Sequence, residues 1–405
     1  MKLSIITPTH SPKYLLPAYD SLESQPVDFE WVIVPNARPD CELPVIPRQI
    51  TRDNRVRVIE YPQRVADPSV GALKRFACEQ ASGDAFVEFD HDDLLVPGIL
   101  KQVVAKLQEG CGFVYSDAAG FQGDQWRPFV FDERWGWETY PITVYGREFL
   151  ATRSFPVTPR SLCEVYFAPD HIRCWSRQAY NAAGGHDPNL VVGDDHDLIC
   201  RTYLSGADFG YTNSCGYLYR YHDTNTVKTH NAKIQKQQAI NRGKYLHRLI
   251  DEWLRRTSFL FLDLSKPGVL QQHGTTVRID ASDSTVGAVR AYGDVLPKLP
   301  REAQTQFMEE VYRVLVPGGY FCADFPSTDG HDAFAPHFNS LWNVGSFRYY
   351  THSEFSRNLR PVPRCRFQLV QAVTYNRGDK SERRTYSYVD LCAIKGQRQP
   401  GRVLI

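Results

Sequence analysis

The sequence predicts an α/β protein: a Rossmann-like sheet in the first part of the chain and a second, smaller α/β domain behind it. Three observations predict it. Short apolar runs alternate with amphipathic stretches through roughly the first 120 residues, one such run closes on the acidic cluster "FDHDD" at 89–93, and a second strand–helix alternation begins after Arg256. Strands that alternate with helices build parallel sheets through right-handed crossovers, and ligands bind beyond the carboxyl ends of their strands. The acidic cluster stands at such an end.

In order, "KLSIIT" (2–7) reads as a strand, Tyr14–Ser24 has helical spacing, and "FEWVIV" (29–34) and "VRVIEY" (56–61) read as strands. "VGALKRFACEQA" (70–81) places apolar residues at helical spacing, and "DAFVEF" (84–89) is a buried strand ending at the carboxylates. Residues 112–175 are rich in aromatics and prolines with weak periodicity, which suits loop-rich packing or a surface for an acceptor. A long helix is expected over 231–256, interrupted by Gly243; from Lys228 to Arg256 eight Lys or Arg face two acids, so it is the one basic segment. Behind it "FLFLDL" (259–264), "TTVRID" (275–280), "VGAVRAYGDVL" (286–296), the helix 302–315 and "PGGYFCADF" (317–325) form the second pattern. The expected domains are 1–226, a basic helical linker 227–256, and 257–405.

Composition bounds the function. At 405 residues with 42% hydrophobic content the chain can bury more than one core. A net charge of +1 gives no global attraction to nucleic acid or membrane, so any such preference must be local. "MKLSIITPTH" carries no signal-peptide pattern, and no apolar stretch reaches membrane-spanning length, so an intracellular protein without a membrane span is expected. Ten scattered cysteines without C-x-x-C pairs read as buried reduced thiols.

Three carboxylates at a strand end repel one another unless a cation sits among them, and oxygen ligands in this spacing suit a divalent hard ion. Such an ion neutralises phosphates, which links the cluster to a nucleotide-like donor. The order "IITPTH", "WVIV", "SVGALKRFACEQASGDAFVEFDHDD", "GGHDPNLVVGDDHDL" resembles a family 2 glycosyltransferase of the GT-A fold over about residues 1–226. The resemblance implies that Asp90 and Asp92 are the D-x-D pair, with Asp93 following, that hold Mn²⁺ or Mg²⁺ on the diphosphate of a sugar nucleotide, a UDP-sugar first among donors. It implies a nucleoside contact for Thr7, Pro8 and Thr9. Where the family often has "VDDGSTD" this chain has "VPNARPD", which moves the base-contacting role to Asn36 or Asp40. Lys74 and Arg75 are expected near phosphate, one of them exposed.

"GGHDPNLVVGDDHDLICR" (184–201) resembles the family's acceptor-side segment, which implies that Asp195 is the catalytic base and Asp194 its partner acid. An inverting transfer needs a carboxylate that removes the acceptor's proton opposite the departing diphosphate. The bland alternative is that both acids open a helix and interact with its dipole. His222, in "YLYRYHDTNT", falls where many GT-A enzymes place a histidine reaching metal or diphosphate. His91 is expected to point away from the acids if strand alternation persists.

"VLPKLP" with "FMEEVYRVLVPGGYF" resembles the later half of class I S-adenosylmethionine methyltransferases. A single Gly268 follows the first strand, too little for a cofactor turn, so a truncated methyltransferase-like domain with a structural use, homo-oligomer formation or acceptor presentation, is expected. Such two-part chains resemble proteins of phage and actinobacterial contexts, which implies the cytoplasm of a bacterium or phage-infected host. Hydroxymethylated pyrimidine in DNA is then one expected acceptor; a virion protein or cell-surface glycan, or a bifunctional glycosyltransferase and methyltransferase, is the alternative.

Overall fold

The computed structural model describes residues 1–36, 42–62, 68–133, 136–378 and 384–396. It divides into two compact units, Met1–Glu133 with Trp137–Glu252 and Arg134–Gly136 with Trp253–Ile405. Among the described residues no helix is long and apolar enough to cross a membrane.

In the first unit, β1 (Leu3–Thr9), β2 (Phe29–Pro35), β3 (Val56–Val58) and β4 (Ala85–Glu88) are parallel in the order β3–β2–β1–β4. β1, β2 and β4 are apolar and buried on both faces, as parallel strands covered by helices must be. β5 (Leu94–Leu95), β6 (Phe113–Gln122), β7 (Arg127–Phe129), β8 (Thr139–Val144), β9 (Arg147–Thr152), β10 (Arg173–Ser176) and β11 (Phe209–Tyr221) complete the sheet. β10 lies antiparallel between β4 and β6, β11 runs parallel to β6, and β5 closes the edge, while β7 and β9 branch from β6 and β8 pairs with β9. One face packs Leu3, Ile5, Trp31, Ile33, Val87 and Phe89 against the helices Leu15–Glu23 and Ile99–Gln108.

The helix Val70–Gln80 starts at Ser69, whose hydroxyl accepts the Ala72 amide at 3.0 Å. A Cβ on Gly71 would stand 2.1 Å from the Asp187 carbonyl, so only glycine lets this helix touch the 187–190 loop. That contact brings the acidic segment at 194–195 toward β4. The helix Asp194–Leu204 begins after Gly193, whose φ of +69° suits a residue without Cβ.

The helix Asn231–Arg256 runs unbroken through Gly243, where a glycine costs a turn only about 1 kcal/mol. Its buried residues Ile234, Gln238, Asn241, Tyr245, Leu246 and Leu249 recur at three- and four-residue steps, with Lys233, Lys236 and Arg248 outside. Gln238 donates to the Cys163 carbonyl and Tyr245 to Asp197 Oδ1, so the helix docks on the first unit, of which it is part through Glu252, and does not act there as a free linker.

The second unit holds β12 (Leu260–Asp263), β15 (Val286–Tyr292), β16 (Leu315–Pro326), β17 (Phe367–Arg377) and β18 (Arg384–Ala393) in the order β12–β15–β16–β18–β17. The first three are parallel and the last two pairings antiparallel. β13 (Leu270–His273) and β14 (Thr276–Ile279) form a separate hairpin, so "TTVRID" is a strand outside the main sheet. The helix Gln304–Val314 buries Phe307, Met308, Val311 and Val314. The nine cysteines among the described residues are free, all but Cys111 buried; Cys41 lies outside the described residues.

Candidate active site

Two adjoining cavities of about 490 Å³ each lie at the carboxyl end of β4. They share Lys74, Asp90, Val70, Val191, Val192, Tyr219 and Thr226. Pro8, His10, Asn36, His91, Asp92 and His222 line only the first. Phe129, Phe131, Phe167, His171, Arg173, Asp194 and Asp195 are among those lining only the second.

β4 ends at Glu88, and the acids follow in a tight turn where the Asp93 amide donates to the Asp90 carbonyl. Strand alternation stops there. His91 accordingly lines the same cavity as Asp92 and packs edge-on against His10 at 4.9 Å, which corrects the expectation that it points away. Asp92 Oδ2 lies 2.7 Å from His222 Nε2, whose Nδ1 is 3.0 Å from the Thr224 hydroxyl. Burial would raise Asp92, but the His222 hydrogen bond holds its carboxyl below the ordinary value. Asp90 goes the other way: burial raises it, against the pull of Lys74 and His171. Asp93 ties the turn to β11, accepting the Arg220 amide at 2.7 Å, and burial beside Asp92 and Asp90 pushes it well up.

On the other side a buried charge cluster surrounds Glu88. Lys74 Nζ is 3.0 Å from Glu88 Oε1 and 3.4 Å from Asp194 Oδ2. His186 lies between the same two acids, Nε2 3.3 Å from Glu88 Oε1 and Nδ1 3.1 Å from Asp194 Oδ2. Arg173, 1% exposed, is ion-paired through Nη1 to Asp195 and donates through Nη2 to the Phe167 carbonyl and through Nε to that of Pro169. Burial would raise Asp195, yet Arg173 and Lys74 hold it far below the ordinary carboxylate range. Asp194 is held down by Lys74 and His186 against the same burial. Asp194 and Asp195 also sit in the first turn of their helix, where the dipole favours negative charge.

The predicted residues therefore separate. Pro8, Asn36, Lys74, Asp90, Asp92, His222, Asp194 and Asp195 come together around the paired cavities. Thr7 does not: it is fully buried, its hydroxyl donating to the Phe89 carbonyl and accepting from Trp31 Nε1. Thr9 is buried as well and donates to the Ser11 carbonyl. Neither side chain lines the cavities, since both hydroxyls are turned inward onto backbone carbonyls. Asp40 lies outside the described residues. Arg75 points outward and bonds the Gly184 and His186 carbonyls.

Two sets of side chains can be weighed as cation sites. Glu88, His186 and Asp194 offer closely spaced ligand atoms, but the Lys74 ammonium already neutralises them. Asp90, Asp92 and His222 supply two carboxylates and an imidazole, and Asp93 Oδ2 beside them is buried without a hydrogen bond. That donor set, carboxylate oxygens beside an imidazole, would suit a divalent ion completed by phosphate oxygens.

Glu88, Arg173, His186 and His171 were not singled out from the sequence. A charge inside an apolar strand, "FVEF" or "IRCW", is the signal that marks the first two, since such a group must find a buried partner.

Residues 4–165 match the family model of Glycosyl transferase family 2. No curated protein matches the chain. Among solved structures, the chain is similar to S. aureus TarS 1-349, at 19% identity and a TM-score of 0.42 over 63% of this chain and 71% of that one. It is also similar to TarS 1-349 in complex with UDP-GlcNAc, at 17% identity and a TM-score of 0.43 over 64% of this chain and 73% of that one. The first unit of this chain thus carries a glycosyltransferase domain, of the kind that takes its sugar from a nucleotide donor.

Proposed function

We propose that the protein is a metal-dependent, inverting glycosyltransferase that moves a sugar from a nucleoside-diphosphate sugar, a UDP-sugar first among donors, to an acceptor hydroxyl. The observation that carries this is the meeting of two cavities at Asp90 and Lys74, with Asp92 and His222 on one side and Asp195 on the other. Asp90, Asp92 and His222 would hold Mn²⁺ or Mg²⁺, which supplies charge stabilisation on the leaving diphosphate. Asp194 is fixed by Lys74 and His186 and in turn seats the helix start that carries Asp195. Asp195 faces the second cavity, where it receives the acceptor hydroxyl. Pro8, Asn36 and His91 border the space for the nucleoside.

Phe129, Phe131, Tyr166 and Phe167 wall the second cavity with Lys228, and Lys233, Lys236 and Arg248 are exposed on the helix that follows in the chain. This supports a flat ring-bearing acceptor on a polyanion, and hydroxymethylated pyrimidine in DNA is the acceptor proposed. For the second unit, the sheet order with two antiparallel pairings at one edge supports a truncated methyltransferase-like domain. The turn after β12 spends the Asp263 carboxylate on Ser265 Oγ at 2.6 Å and leads into a hairpin, which does not suit S-adenosylmethionine. Its use is structural.

Screening donors by release of nucleoside diphosphate with Mn²⁺ tests the main reading, and no release from any donor would defeat it. A salt-dependent shift of hydroxymethylated duplex, weakened in Lys236→Ala, tests the acceptor; absence of binding at low salt removes DNA. Titrating S-adenosylmethionine into the full chain tests the second unit, and saturable binding would restore the bifunctional alternative.

A further inference from the structure

The acidic turn that follows β4 is held from behind by β11. The Tyr217 hydroxyl accepts the Asp90 amide at 3.1 Å, the Arg220 amide donates to Asp93 Oδ1 at 2.7 Å, and the Arg220 side chain donates through Nε to the Asp92 carbonyl at 2.7 Å. Arg220 therefore grips two consecutive residues of the turn, one through its backbone and one through its guanidinium.

Arg220 is 2% exposed and lines neither cavity, so it is not a group that meets donor or acceptor. A guanidinium is costly to bury unless its donors and its faces are met. Here the ring of Tyr14 lies 4.3 Å away and that of Phe121 4.6 Å away, and Nη1 donates to the Gly123 carbonyl at 3.4 Å. The rings fix the plane of the guanidinium, and the plane fixes where Nε points. Tyr14, immediately before the helix Leu15–Glu23, has a second contact: it stacks on the His222 imidazole at 5.8 Å and 29°. His222 Nε2 in turn lies 2.7 Å from Asp92 Oδ2. Asp92 is thus held at both ends, its carbonyl by Arg220 and its carboxylate by His222, and Tyr14 touches both holders.

We infer that Arg220, together with the Tyr14 ring against which it stacks, is a positioning residue for the cation site, keeping the Asp92 backbone and the His222 ring in one arrangement. The inference rests on the metal-dependent reading above. Groups that orient a metal ligand without touching the ion are commonly worth about 10- to 100-fold in metal affinity. Loss of Arg220 should therefore weaken the hold on the ion and leave the acceptor side as it is.

The test titrates Mn²⁺ into the full chain in the presence of UDP, reading the bound ion by electron paramagnetic resonance, for wild type, Arg220→Lys and Tyr14→Leu, beside thermal melts and transfer kinetics. Arg220→Lys, which keeps the charge and loses the planar fork, is expected to bind Mn²⁺ about 10- to 100-fold more weakly. Tyr14→Leu, which removes the ring and no hydrogen bond to the turn, is expected to bind it about 3-fold more weakly or worse. In both, kcat should return to within about 3-fold of wild type at saturating Mn²⁺ with acceptor KM within about 2-fold, a split that a merely loosened fold does not give. Should Arg220→Lys fold poorly, Tyr14→Leu decides alone. Mn²⁺ affinity within about 2-fold of wild type in the folded variants would overturn the inference, and so would a loss of kcat that no Mn²⁺ concentration restores. A wild type that binds no Mn²⁺ in the presence of UDP would instead defeat the metal-dependent reading beneath it, and the inference with it.

Discussion

The guanidinium of Arg173, on β10, is ion-paired with the carboxylate of Asp195, in the first turn of the facing helix, and this pair joins the sheet to the acceptor side of the site. Arg173 is fully buried and is 3.8 Å from Glu88 Oε2 as well, so its fork serves two acids from one position. Lysine keeps the charge but loses the planar fork. Arg173→Lys is therefore expected to fold and to lose about 10- to 100-fold in kcat, because Asp195 is no longer held in one orientation. Steady-state kinetics beside a thermal melt check this; unchanged kcat would show that Asp195 needs no such holding.

Lys74 is the cation on which Glu88 and Asp194 both depend. Burial alone would lower its pKa, but Asp194 and Glu88 raise it well above the ordinary value, so it stays charged at every working pH. Lys74→Met leaves two buried carboxylates with less compensation and is expected to cost about 3–5 kcal/mol in urea unfolding. The exposed Lys236→Ala is expected to stay within about 0.5 kcal/mol.

For the cation site, removal of divalent ions by EDTA is expected to abolish transfer, with Mn²⁺ restoring it. Asp92→Ala should not be restored. His222→Ala, which removes the group that orients Asp92, is expected to need about 10- to 100-fold more Mn²⁺ for half-maximal activity. Transfer at full rate in EDTA would contradict this arm.

Stability should fall at acid pH through Glu30. Burial would raise this carboxyl, but hydrogen bonds from Ser4 and Ser82 and the Arg57 contact carry it from 4.5 down to about 2. A carboxyl lowered by folding adds stability above its unfolded pKa and loses it as pH falls toward the folded one. The Glu30 contribution is thus complete above about pH 5 and lost between about 4.5 and 2. After allowance for screening of its partly exposed partners Lys2 and Arg57, Glu30→Gln is expected to cost about 2 kcal/mol at pH 7 and little near pH 2. Chemical denaturation at the two pH values measures the difference.

Much of this architecture could be read in advance where one element explains itself. β1, the helix from Val70 and β4 follow from apolar runs and helical spacing, and the acids at 90–93 announce themselves by their mutual repulsion. What could not be read is tertiary. Thr7 looked like a loop residue over a ligand, but a strand covered on both faces turns its hydroxyl inward to Phe89. His91 was misjudged because the alternation rule ends where β4 ends, at Glu88. Lys74 and Arg75 are adjacent in sequence, and only packing of the helix on β1 and β2 decides which faces the acids. The partnership of Arg173 with Asp195 joins residues from two elements whose meeting depends on the cross-sheet position of β10, which no local pattern encodes.

The central claim is that one reaction is run from two halves, with Asp92 on the donor side and Asp195 on the acceptor side. Nucleoside diphosphate release in the presence of Mn²⁺, donor and acceptor, compared between wild type, Asp92→Ala and Asp195→Asn, tests it most directly. The account predicts release by wild type and a loss of about 100-fold or more in each variant, with donor binding kept only in Asp195→Asn. Release at the wild-type rate in both variants would contradict it.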